Sequence, residues 1–193
     1  MDHAMKILKL FGVTIVSTML FICPGYGQRE GNMPSKIAMT SPSFRNGEML
    51  PREHTCDGSD ISPALQWSGI PEATQSLALI SDDPDAPAGD WVHWVVYDLP
   101  PLTTSLPAGV PSLEKLPMGG TQGRTDFGRV GYGGPCPPSG THRYFFKIYA
   151  LDVKLHLPPG RTKKELLAAM QGHILAEGQL MGKYQREKVA RRF

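Results

Sequence analysis

Two short apolar runs, SLALISDD ending at Asp83 and WVHWVVYDL starting at Trp91, set the terms for this fold. Each is rich in β-branched, aliphatic or aromatic residues, each is bounded by Pro, Gly or Asp, and both read as strands rather than helices. Alternation puts Trp91, His93, Val95 and Tyr97 on one face of the second run and Val92, Trp94, Val96 and Asp98 on the other. Both faces carry apolar groups, so this strand belongs inside a packed structure. HRYFFKIYALD, from His142, repeats the pattern with Tyr144, Phe146 and Ile148 opposed by Phe145 and Tyr149. An earlier strand is expected in IAMTSPSF, followed by a turn at Asn46-Gly47. Near the C-terminus TKKELLAAM opens with Thr162 and has Glu165 three residues on, the signature of a helical capping box. Gly172, Gly178 and Gly182 argue against carrying that helix on to Tyr184. Strands separated by turns, without regular alternation with helices, predict a mainly β chain: an antiparallel β-sandwich with one or two short peripheral helices near the C-terminus. The 193 residues, with 21 Gly and 18 Pro, suit one domain rich in turns.

The first residues have a different character. Lys6 and Lys9 precede an apolar run from Leu10 to Ile22, and small residues follow at Gly25 and Gly27. This pattern predicts a signal peptide over residues 1–27, a linker over 28–36, a domain over 37–186 and a basic tail over 187–193. The expected location is periplasmic or secreted; an uncleaved N-terminal membrane anchor is the alternative, although the run falls short of the roughly 20 residues a span needs. Large Phe21 and Ile22 argue against lipid attachment at Cys23. Cleavage leaves the net charge of +2 nearly unchanged, which excludes a globally polyanion-binding protein and gives no reason to expect nucleic acid as a partner. It also leaves two cysteines, Cys56 and Cys136, either bonded to one another or unpaired.

Two stretches concentrate chemistry. SDDPDAPAGDWVHW ends one strand and begins the next, so a hairpin-like return brings Asp83 or Asp85 within reach of His93; a stiff acidic surface turn is the plain alternative. GYGGPCPPSGTHRY, Gly131 to Tyr144, combines glycines whose N–H groups can approach a ligand with prolines that fix the loop. His142, Arg143 and Tyr144 add donors. No Gly-Lys-Ser/Thr follows and a strand, not a helix, comes next, so this is neither a phosphate-binding NTPase loop nor a dinucleotide fingerprint. The irregular residues between Pro100 and Thr141 exceed the usual loop length, a sign of function.

Together DPDAP (Asp83 to Pro87), WVHW (Trp91 to Trp94) and GPCPPSGTHRY (Gly134 to Tyr144) resemble the phosphatidylethanolamine-binding protein family, in its bacterial and archaeal Raf-kinase-inhibitor-like branch, also called YbhB/YbcL. TCDGSDISPALQW and ELLAAMQGHILAEGQLMGKY support it in the same order. The resemblance implies a β-sandwich with a small anion pocket lined by Asp83, His93, Gly134, Pro135, His142 and Tyr144, and a strand within Gly172 to Tyr184. Trp91 lies beside the site motif, and an Asp85–Arg143 ion pair is expected to support it. In this reading an aspartate orients a histidine and favours its charged form, so anion affinity rises as pH falls past the ordinary histidine value of about 6.5. The partner is a phosphate-like anion or phospholipid head group, and no cofactor, no metal and no primary catalytic role are expected. Inhibition of a protease or other hydrolase through the same surface is the alternative function. Zinc on His93, His142 and Asp83, or acyl transfer by Cys136 or Ser139, lacks the usual ligand spacing or a G-x-S-x-G elbow. A homodimer is implied by resemblance alone. The basic tail suggests a solvated end or a weak contact with a membrane surface.

Overall fold

The computed structural model describes residues 35–187; the expected signal peptide and the last residues of the basic tail lie outside that range. The strands are β1 (Ser35–Lys36), β2 (Ala38–Thr40), β3 (Leu65–Ser68), β4 (Ser76–Asp83), β5 (Trp91–Leu99), β6 (Ser105–Leu106), β7 (Thr121–Gln122), β8 (Thr141–Leu151) and β9 (Ile174–Gln185). Among the described residues one α-helix, α1 (Lys163–Met170), follows β8, and one 3-10 turn covers Arg52–His54. A six-stranded sheet has the order β1-β9-β8-β4-β5-β7, and a three-stranded sheet the order β2-β3-β6. Pairing is antiparallel apart from the short β1–β9 contact.

The large sheet buries both faces, as the two-sided apolar pattern of its strands requires. On one face Leu79, Trp94, Val96, Phe146 and Ile148 pack with Met39, Leu65, Trp67 and Leu106 of the small sheet. On the other, Ile80, Val92, Val95 and Tyr97 pack under Leu166 and Met170 of α1. Helix α1 starts where its sequence says. The Thr162 hydroxyl accepts from the Glu165 N–H while the Glu165 carboxylate accepts from the Thr162 N–H, the complete capping box. The glycine-spaced segment after it is strand β9. Gly178 allows that strand to pass close to the Ile37 carbonyl, which a Cβ would meet at 2.2 Å.

Strand β5 departs from simple alternation. Ser81 pairs with Trp94 and Asp82 with Val92, so His93 is the extra residue of a β-bulge. A bulge shifts the side-chain period by one. Val92 therefore joins Val95 and Tyr97 on the α1 face, instead of Trp94 and Val96 as alternation predicts. The irregular stretch before β8 is held from within: buried Gln122 accepts from the Trp94 indole at 2.7 Å and donates to the carbonyls of Pro111 and Leu113. Trp67 is buried in the core, its indole donating to the Thr103 carbonyl.

Candidate functional site

Because β4 runs between β5 and β8 and antiparallel to both, the end of β4 meets the beginnings of its two neighbours. Asp83, Trp91, His93 and His142 are thus gathered at one end of the sheet. They line a cavity of about 260 Å³ together with Phe127, with Ala86, Pro87 and Ala88 of the β4–β5 loop, and with Cys136, Pro137 and Pro138 of the loop before β8. The polar groups lie among apolar walls. Among the described residues no lysine or arginine lines it.

Asp83 does not pair with His93, the reach a hairpin return suggests. It takes the histidine of the other neighbouring strand: the His142 Nδ1–H donates to Asp83 Oδ2 at 2.7 Å, with both side chains nearly buried. Asp83 Oδ1 accepts the Asp85 N–H at 2.8 Å, which locks the carboxylate. His93 is held by a two-way bond with Gly133. Its Nδ1–H donates to the Gly133 carbonyl at 2.6 Å, and its own carbonyl accepts the Gly133 N–H at 2.9 Å. Burial pushes the His93 imidazole below its ordinary value, against the opposing pull of the Gly133 carbonyl and Asp83. His93 is accordingly a neutral ring at neutral pH, with Nδ1 carrying the proton and Nε2 a lone pair. Both imidazoles spend Nδ1 on the protein, and neither Nε2 makes a hydrogen bond to another described residue.

Tyr144 lies beneath the two rings, 5.2 Å from His93 edge to face and 6.5 Å from His142 in a nearly parallel stack. Its hydroxyl is buried without a partner, and burial, with the Asp83 charge second, pushes its ionisation far up. Arg143 points away from this group. It forms a fork onto Asp85, Nε to Oδ2 at 2.8 Å and Nη2 to Oδ1 at 2.6 Å, and its N–H also reaches Oδ2 at 2.9 Å. That ion pair stiffens the β4–β5 loop against β8.

Gly134 and Pro135 stand behind the cavity wall. The Gly134 N–H, expected to serve an anion, donates instead to Asp60 Oδ1 at 2.6 Å, and the Pro135 carbonyl accepts from the Cys56 N–H at 3.1 Å. Gly134 permits this approach because a Cβ would lie 2.6 Å from the His54 carbonyl. Cys56 and Cys136 are joined by a disulfide, so Cys136 offers no thiolate for nucleophilic chemistry. Phe127 and Asp60 had no individual signal in the sequence. The unusual length of the irregular segment pointed toward the first, and the turn-rich TCDGSD motif toward the second. A larger depression of about 510 Å³ on the outer face of β8 and β9 holds Lys36, Lys147 and Glu177, but Lys147 is already bound to Asp82 there.

Residues 40–185 match the family model described as Phosphatidylethanolamine-binding protein. The chain belongs to that family. It is 53% identical over 181 residues to a UPF0098 protein of Aquifex aeolicus, covering 92% of this chain and all of that one. A UPF0098 protein of Methanothermobacter thermautotrophicus is 52% identical over 144 residues, 75% of this chain and 95% of that one. Among solved structures, Escherichia coli YbcL, described as a member of the mammalian PEBP family, matches with TM-score 0.73 and 35% identity over 79% of this chain and all of that one. A PEBP homologue from Chlamydia trachomatis gives TM-score 0.73 and 41% identity, covering 79% and 99% of the two chains.

Proposed function

We propose that this family member binds a small phosphate-like anion, free or as the head group of a lipid, in the cavity floored by Asp83, His93 and His142, without a primarily catalytic role. One observation carries the reading: two imidazoles, each with Nδ1 fixed by the protein, leave Nε2 unpartnered at the same small cavity. An anion oxygen needs a donor at those atoms. With Nδ1 already the proton-bearing nitrogen, Nε2 donates only when the ring takes up a second proton. Entry of the anion is therefore coupled to proton uptake, with Asp83 facing the charged His142 ring through a charge-assisted bond. The apolar walls exclude water and strengthen that attraction. The N-terminal segment serves export in this reading, which N-terminal sequencing of the mature protein tests.

Calorimetric titration with sulfate, whose charge is constant over the range, and with inorganic phosphate, between about pH 5.5 and 8, tests the site. Affinity should rise as pH falls, and His142→Ala should abolish most of it. Sulfate affinity that is flat with pH overturns the reading.

A further inference from the structure

Residues 136–140 form a wall of the cavity through Cys136, Pro137 and Pro138, yet make no hydrogen bond to any other described residue. The chain is pinned just before them. Tyr132 donates its hydroxyl to the His54 carbonyl at 2.8 Å, Gly134 donates to Asp60, and Pro135 accepts from Cys56. It is pinned again just after them, where Thr141 opens β8. Between these points the bond that ties the segment to the 3-10 turn region is the Cys56–Cys136 disulfide. Two prolines cannot substitute N–H bonds for it. Both cysteines are solvent-exposed, and exposed disulfides are the ones open to thiol attack.

We propose that the Cys56–Cys136 disulfide is a redox-operated clamp on the cavity wall, closed when oxidised and released by a dithiol. The proposal rests on the anion-binding reading. A thiolate of the dithiol attacks one protein sulfur, the S–S bond breaks with the other cysteine leaving as a thiolate, and the second thiol of the reductant then attacks the reductant sulfur of the mixed disulfide and expels the remaining protein thiolate. The dithiol loses two electrons and becomes a cyclic or bridged disulfide, while Cys56 and Cys136 end as thiols carrying its two protons. The contacts of Tyr132, Gly134 and Pro135 survive, so the fold persists and only the segment from Cys136 to Gly140 gains freedom. An anion then has to order that wall as it binds.

The test compares the native full chain before and after dithiothreitol, with far-UV circular dichroism confirming that the reduced protein stays folded. NMR order parameters of Cys136, Ser139 and Gly140 should fall from about 0.85 to below about 0.6 on reduction. Sulfate affinity at pH 6 should weaken about tenfold, the scale of losing a preorganised loop. The Cys56→Ser/Cys136→Ser double variant should match the reduced protein and ignore dithiothreitol. Unchanged order parameters overturn the clamp whatever sulfate does, as does sulfate bound equally by both forms. Oxidised protein that binds no sulfate at any pH overturns the anion reading itself.

Discussion

Replacing Asp83 with Asn should change how the site handles protons more than how it is shaped. In the native protein the His142 Nδ1–H donates to a carboxylate at 2.7 Å, and the other carboxylate oxygen holds the Asp85 N–H at 2.8 Å. An asparagine oxygen can keep the second bond, but its amide then presents N–H to His142. The imidazole answers by moving its proton from Nδ1 to Nε2, where a neutral ring donates to an anion without taking up a proton. Two consequences follow. The charge-assisted bond, worth about 1.5–3 kcal/mol, becomes a neutral one of about 0.5–1.5 kcal/mol, a loss of about 1–1.5 kcal/mol, so affinity at acid pH should fall by roughly a factor of 5 to 13. At the same time the proton coupled to His142 disappears, and the slope of log affinity against pH should flatten by about one per pH unit at the alkaline end. Titrating sulfate in two buffers of different ionisation heat counts the protons directly. A variant that retains the native slope and the native proton uptake refutes the assignment of His142 as the proton-coupled donor.

His93 makes a stability prediction with a definite sign. Its imidazole is held below the ordinary value by burial, so the unfolded chain takes up a proton first as pH falls below about 6.5 and native stability drops until the folded ring titrates as well. Urea midpoints of His93→Gln should show a flatter pH profile over that window, and a parallel profile would count against burial as the cause. Asp85 acts in the opposite range. The Arg143 fork brings its carboxyl from 3.8 down to about 2, so its contribution is present above pH 4 and is lost as pH falls toward 2. Since half of the Arg143 side chain is exposed, Asp85→Asn should cost no more than about 1 kcal/mol at neutral pH, less at high salt, by urea denaturation. Gly134→Ala should cost about 1–3 kcal/mol, because its methyl group meets the His54 carbonyl and Asp60; thermal unfolding within error of the native protein would show that the turn region yields easily.

Much of this protein is local, and that part is legible in the chain. The apolar runs become strands β4, β5 and β8 because their periodicity and Pro/Gly/Asp borders act within a few residues. Thr162 and Glu165 close a capping box three residues apart. The ordered DPDAP, WVHW and GPCPPSGTHRY motifs carry the family. What tertiary structure alone decides is which group meets which. Asp83 finds His142, 59 residues away, rather than the nearer His93, because β4 has β8 as well as β5 for a neighbour. His93 finds Gly133 across 40 residues, and its aim depends on a bulge that exists only in the register between two strands. Cys56 meets Cys136 across 80 residues, and Asp60 occupies the N–H of Gly134 that the loop composition offered to a ligand. Residue types state what chemistry is available to the chain. Register, burial and long-range pairing decide which nitrogens remain unpaired, since a hydrogen bond made elsewhere in the fold uses up a donor that the sequence shows as free.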